Sequence, residues 1–390
     1  MNAAETVVFV VGSGEFWAQG SSQALRMAEA FWLSGCEVVY FECGGAGELF
    51  RRKTAALKMN VPDVYGHPER ERFYVARAER LPGMRLSFPN LARRWHALRV
   101  SRKMRTFLSW PSRARSRVLI AHYGWYFPEL TSGADWRQRR VYECLDDHGA
   151  ALNIRGAPWK WRYVLETEKR LLARADVTVF SSPELLERRR ESARRAELIP
   201  LGVDHGHFAR KGGKDPHEAK GIGRPRFGFL GQVTEREDWG MVAAAAELVP
   251  DREWVVLGKL QGVAPRGPEH VHWLGEVPYA ELPDWLAGWD AAFVPLADSA
   301  FNRASWPLKF YECLAAGLPV ASTPIPAAQQ LAEATGGLVV PASGWGPAEL
   351  VAALEKARGL RERARQEGPA FAARHSWKAR AERILELAGE

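Results

Sequence analysis

Short runs of β-branched and aromatic residues alternate along the whole chain with longer stretches whose apolar residues recur at helical spacing. A strand buried on both faces reads as a continuous apolar run, and a helix lying over it shows one apolar stripe. The alternation therefore predicts an α/β fold of parallel sheets covered by helices on both faces. In the first half the expected strands are 6–11, 37–41, 118–121, 140–145, 177–180 and 198–200. In the second half they are 226–230, 253–257, 270–274, 291–295, 319–322 and 338–340. The chain has 390 residues, more than the ~250–300 at which one core stops growing, so two domains are expected.

The stretch 211–224, KGGKDPHEAKGIGR, combines four glycines with many charges and no apolar periodicity. An exposed connection has that composition. The expected division is a domain over 1–210, a linker over 211–224 and a domain over 225–374. A last helix, 375–390, is capped by Ser376 and carries Trp377, Ile384, Leu385 and Leu387; it is able to dock on either domain. Two doubly wound domains of this kind are expected to face each other across a cleft at the carboxyl ends of their sheets, where open α/β sheets bind ligands.

The first residues, MNAAETVVFVVGSGE, contain no basic leader and only VVFVV as an apolar run, which reads as a first core strand rather than a signal or a membrane span. The cysteines, Cys36, Cys43, Cys144 and Cys313, stand singly with no metal-ligand spacing, as expected of reduced thiols in a cytoplasm. No metal site is expected.

The net charge of +8 is concentrated in one region. Residues 51–117 hold 18 Lys and Arg against four acidic residues, a local charge of +14, while the remainder holds 36 against 42. A local anionic partner is implied. Within this region, 90–108 places Leu91, Trp95 and Leu98 on one helical face and six basic residues between its apolar positions. Such a helix can rest on an anionic membrane surface, or it can be a core helix with a solvated basic face; both readings stand. Nucleic acid is not expected, because no binding module of that kind is present.

The strongest chemical signal follows residue 295, in LADSAFNRASWPLKFYECLAAGLPV. A helix is expected there, with Ser305 as its cap, Pro307 in the first turn and Gly317 at its end. Amides at a helix start and the charge of Lys309 suit a diphosphate, and Glu312 can accept hydrogen bonds from a vicinal diol.

The run P-x-K-x-x-E-x-L-A-x-G-x-P-V over 307–320 resembles the donor-binding helix of glycosyltransferases of family 4 (glycosyl transferases group 1), particularly the bacterial polysaccharide and teichuronic-acid-type enzymes. FGFLGQVTEREDW (227–239), VVLGK (255–259) and HVHWLGEVPYAELPDWLAGWDAAFVPL (270–296) are similar to the family's first strands and turns. VYECLDDHG, VTVFSSPEL and IPLGVDHGHF, between 141 and 208, resemble its upstream segments. The resemblance implies a GT-B fold of two Rossmann-like domains. It also implies donor contacts at Gly231, Arg236, Lys259, Gly275, Val277, Ser305, Pro307, Leu308 and Glu312, with Lys309 stabilising the leaving diphosphate. Family members commonly carry a glutamate eight positions before the one matching Glu312, where it contacts the transferred sugar. Ala304 stands there in this chain. The Arg and Lys usual after the first strand of that domain are not matched in QVTERED, so Arg236 is their expected substitute.

In the first half, Gly12 and Gly14 follow a strand, either as a tight turn or to admit substrate on the acceptor side. The spacing is not G-x-G-x-x-G, which disfavours dinucleotide chemistry. His122 and Asp146 also follow strands, and such a pair can orient or deprotonate a hydroxyl; a structural histidine is the other reading, and His148 competes for the role.

The expected function is transfer of a sugar from a nucleoside diphosphate sugar to a glycan, lipid-linked or small-molecule hydroxyl acceptor. By resemblance, transfer retains anomeric configuration and needs no metal. The expected location is cytoplasmic, at the inner face of the membrane if 90–108 rests on lipid. A catalytically silent sugar-nucleotide-binding protein and another GT-B enzyme, such as a phosphorylase or epimerase, remain open alternatives.

Overall fold

The computed structural model describes residues 1–12, 23–43, 64–67, 69–78, 112–122, 138–151, 158–210, 213, 215–265 and 267–390. Gly14 and the whole of 90–108 lie outside them. The chain divides into two compact units, Met1–Pro200 with Trp377–Glu390, and Leu201–Ser376.

The first unit contains β1 (Thr6–Gly12), α1 (Gln23–Leu33), β2 (Glu37–Cys43), β3 (Val64–His67), β4 (Arg70–Ala78), β5 (Ser116–Ala121), β6 (Arg139–Cys144), α2 (Pro158–Arg174), β7 (Val177–Phe180), α3 (Pro183–Arg189) and β8 (Ala196–Leu198). Among the described residues these strands form one eight-stranded sheet in the order β3-β4-β2-β1-β5-β6-β7-β8. Every residue of β1 is buried, as its unbroken apolar run requires. The sheet is parallel except at one edge, where β3 and β4 pair antiparallel. That edge pair was not expected from the sequence. β4 reads RERFYVARA, so charged residues interrupt its apolar set; Phe73 and Val75 are nevertheless buried while Glu71 and Arg72 are exposed. Half-buried alternation of this sort suits a strand near a sheet edge.

The second unit contains α4 (His205–Phe208), β9 (Arg226–Leu230), α5 (Trp239–Leu248), β10 (Glu253–Leu257), β11 (Val271–Gly275), α6 (Leu282–Ala287), β12 (Ala291–Val294), α7 (Ala300–Arg303), α8 (Lys309–Ala315), β13 (Val320–Ser322), α9 (Pro326–Ala334), β14 (Val339–Pro341), α10 (Pro347–Arg358) and α11 (Arg361–Ala373). Its sheet has six strands among the described residues, all parallel, in the order β11-β10-β9-β12-β13-β14. That is a Rossmann-like order, and it reverses between β9 and β12. Aromatic side chains fill the space beneath it: Trp254 packs edge-on to Phe227 and Phe293, and Phe229 edge-on to Trp239.

The last helix, α12 (Trp377–Gly389), belongs to the first unit and packs on α1. The division between units falls at Pro200 and Leu201 rather than within 211–224. Described residues of that stretch are built into the second unit by Arg226, which is only 2% exposed. Its guanidinium donates to Asp215 at 2.5 Å and to the carbonyls of Gly223 at 2.7 Å and Ile222 at 2.5 Å. His217 is fully buried beside it: Nδ1 donates to Asp215 at 2.8 Å, and Nε2 accepts from Trp289 at 2.9 Å. Burial alone would push the Asp215 carboxyl up, but the bonds from Arg226 and His217 outweigh it and hold the group at about 2. Composition indicated an exposed connection because glycine and charge dominate it; one buried guanidinium reorganises it.

Candidate functional site

In the second unit the loops at the strand-order reversal bring Lys309 against Gly231 and set the turn of Gly275 beside them. Gly231, directly after β9, adopts φ +136°, a region that disfavours a side chain. Its amide donates to the Leu257 carbonyl at 3.0 Å, and the amide of Gly258 donates to Gly275 at 2.7 Å. The turns after β9, β10 and β11 are thereby stacked side by side. A Cβ on Gly258 would stand 1.7 Å from the Gly231 carbonyl oxygen, so glycine is obligatory there too.

Lys309 begins α8 and lays its side chain over Gly231: a Cβ at 231 would meet Lys309 Cε at 2.4 Å. Its Nζ lies 3.4 Å from Glu237 Oε1 and 4.8 Å from the centre of the Phe229 ring. Glu237 is buried and fixed from its other side, accepting from the Thr234 amide at 3.1 Å and the Thr234 hydroxyl at 2.9 Å. Sequence reasoning missed this carboxylate, although its place beside Arg236 in a glycine-led turn was a usable signal. Arg236 takes another direction, with its guanidinium carbon 4.5 Å from the Phe301 ring centre and Nε donating to Asn302 at 3.2 Å.

Glu312 is one helical turn beyond Lys309 on the same face of α8, half-buried. The helix starts later than expected. The first amides to donate backward are Phe310 to Pro307, Tyr311 to Leu308 and Glu312 to Leu308. Leu308 occupies the cap position with no side-chain capping bond. Ser305 is buried and donates its hydroxyl to the Asn302 carbonyl at 2.9 Å, so it closes α7 rather than capping α8. A serine three residues before an apolar run reads as a cap; the short helix before it, which claims that serine, was not visible in the sequence. Ala304 is fully buried at the end of α7. Gly275 (φ +74°) ends β11, Val277 is half-buried, and Lys259 is exposed, its carbonyl accepting from Val233 at 3.0 Å.

In the first unit, parallel pairing of β1 with β5 sets Val11 against Ala121, so Gly12 and His122 follow side by side. The missing side chain of Gly12 has a packing reason: a Cβ there would stand 2.1 Å from the Tyr40 hydroxyl. His122 is wholly buried, its Nε2 3.1 Å from Glu143 Oε2. Burial lowers its pKa against the opposing pull of Glu143, and Arg380 lowers it further. Asp146 is half-buried after β6. The next residue, Asp147, is buried and engaged by Arg189 at 2.8 Å and Arg188 at 3.2 Å, and Arg189 also donates to Glu168 at 3.1 Å. Arg189 therefore holds the turn that carries Asp146. Burial also lowers the pKa of His148, whose amide donates to the Asp146 carbonyl at 3.0 Å.

Solved structures share this architecture over nearly the whole chain. Sucrose-phosphate synthase from Thermosynechococcus elongatus superposes with a TM-score of 0.68 at 18% identity, covering 98% of both chains. WaaG, a glycosyltransferase involved in lipopolysaccharide biosynthesis, gives 0.61 at 14% identity, covering 98% of this chain and 99% of its own. Anabaena Alr3699/HepE, solved with UDP and glucose, gives 0.63 at 14% identity, covering 98% of each chain. At these identities the likeness is one of fold, and the fold is that of the GT-B glycosyltransferases. Residues 224–358, all within the second unit, match the model of the family described as Glycosyl transferases group 1. A Bacillus subtilis (strain 168) protein provisionally named a teichuronic acid biosynthesis glycosyltransferase, TuaH, is 28% identical over 255 residues, covering 60% of this chain and 63% of that relative's length.

Proposed function

We propose that the chain is a glycosyltransferase that moves a sugar from a nucleoside diphosphate sugar to a hydroxyl acceptor in glycan, polysaccharide or glycoconjugate synthesis. The observation that carries this reading is the position of Lys309 across the Gly231 turn, with Glu312 one helical turn further on, inside the part of the chain that matches the group 1 family model. Lys309 supplies positive charge where the leaving diphosphate gains negative charge, which lowers the barrier without a metal. Glu312 accepts from the ribose diol, and Gly231 lets phosphate approach backbone amides. His122 and Asp146 act on the acceptor side. Transfer with retention, in which the departing phosphate helps remove the acceptor proton from the same face, and a cytoplasmic location are parts of this reading.

A thermal-shift panel of UDP, GDP, ADP, CMP and dTDP tests it. A nucleotide at a hundredfold its dissociation constant stabilises the protein by about 2.7 kcal/mol. One diphosphate is expected to shift the transition clearly, and a flat response to all five would remove the reading. Buried Ala304, at the position where sugar is read in the resembling family, favours a second possibility, a sugar-nucleotide-binding protein without turnover. Slow hydrolysis of the bound donor would argue against that second reading.

A further inference from the structure

Three charged or titratable side chains of the first unit meet out of reach of solvent. Glu143 lies within the apolar run of β6 and is fully buried, as is His122, while Arg380 on α12 is 3% exposed. Glu143 Oε1 accepts from Arg380 Nη2 at 2.7 Å, and Oε2 lies 3.1 Å from His122 Nε2. Arg380 Nη1 also donates to the carbonyls of Ile199 and Pro200, so the guanidinium is fastened from two sides. Among the described residues, His122 Nδ1 makes no hydrogen bond, and the facing Nε2 and Oε2 atoms are in contact without hydrogen-bond alignment. Buried ionic groups of this kind add little stability compared with apolar residues of the same volume. This set underlies the strand end at the order reversal between β1 and β5, where sheets of this type bind ligands.

We propose that Glu143 and Arg380 are positioning residues for His122: the carboxylate, clamped by the guanidinium of α12, holds the Nε2 side of the imidazole as its protonated side and leaves Nδ1 bare, which fixes from behind the ring that ends β5 on the acceptor side. This rests on the glycosyl-transfer reading and adds to it the residues that set the orientation of the acceptor-side histidine. Two charged groups act on that imidazole, Glu143 from β6 favouring its protonated form and Arg380 from α12 opposing it.

The test is a pH titration of the His122 ring by NMR in the full chain labelled with ¹³C,¹⁵N-histidine, assigned by loss of its signal in His122→Asn. Glu143→Gln is expected to move the His122 midpoint down and Arg380→Gln to move it up, each by about half a pH unit or more, while Arg380→Lys, which keeps the charge, moves it less than Arg380→Gln. A midpoint unmoved in both folded glutamine variants overturns the proposal. Should either variant fail to fold, the ring ¹⁵N shifts of the unmodified chain decide: Nε2 protonated with Nδ1 bare is expected, and the reverse tautomer overturns it. UDP release from UDP-glucose across the same pH range separates the two levels of inference. An acid limb that follows the His122 midpoint in the variants supports the acceptor-side role, and a limb that ignores it sinks that role. Shifted midpoints in a chain that releases no UDP support the pairing and count against transfer from UDP-glucose alone.

Discussion

At position 231 a side chain would have to occupy the volume that the Lys309 methylenes fill, on a backbone turned to φ +136°. Gly231→Ala therefore meets two costs together, and a loss of about 1–3 kcal/mol is expected, read as a lower urea midpoint. The variant should also lose nucleotide-induced stabilisation, because Lys309 must move to admit the methyl group. Lys309→Ala and Glu312→Ala leave no comparable void, since both residues are only half-buried. Each is expected to lower turnover by about tenfold or more; the thermal transition stays near that of the unmodified chain in Glu312→Ala and falls in Lys309→Ala, which leaves the buried Glu237 carboxylate without its cation. Near-normal turnover in both would remove the assignment of this site. The motif exposed Lys309 and Glu312 because their spacing along one helix is written in consecutive letters. Glu237 and Glu143 were not legible, because each gains its role from a partner 72 or 237 positions away.

Among the elements, the strands of both sheets were legible wherever burial on two faces forces an unbroken apolar run, as in β1, β7, β9 and β10. The pair β3 and β4 escaped because near a sheet edge one face can stay charged, and those charges merge with a basic region. The start of α8 was misplaced since Ser305 is equally suited to end one short helix or to begin the next. The connection 215–226 shows how far one residue can override composition. Arg226 gathers Asp215, Ile222 and Gly223, and its removal leaves the Asp215 carboxylate and His217 without their organising charge. Arg226→Met is expected to cost about 3–5 kcal/mol in chemical denaturation, a value typical of breaking a buried ion pair. A loss below ~1 kcal/mol would mean that this network is ornamental. Because the folded Asp215 carboxyl is held at about 2, below its ordinary value of 3.8, its contribution is complete above that ordinary value and disappears as pH falls toward 2.

For the whole molecule, histidines set the acid limit sooner. His122, His148, His217 and His375 all have pKa values lowered by burial from the ordinary 6.5. Below that value the unfolded chain binds protons that the folded chain refuses, so stability is complete above pH 6.5 and falls with pH beneath it. Urea midpoints at pH 7.5, 6.0 and 5.0 are expected to decrease in that order, and a flat series would show that these rings titrate freely in the folded state.

The chain leaves the first unit at Pro200 and rejoins it at Trp377, where Arg380 locks onto Glu143 and onto the carbonyls of Ile199 and Pro200. During synthesis the first unit thus emerges early but lacks one of its packing helices until Trp377–Gly389 has been made. The second unit, whose sequence is continuous, can close around its own core while the first is still waiting. A ribosome that stalls shortly before Trp377 would leave a finished second unit attached to an unfinished first unit. Loss of Trp377–Glu390 is accordingly expected to expose the first unit to proteases and to spare the second unit, which adjoins the break.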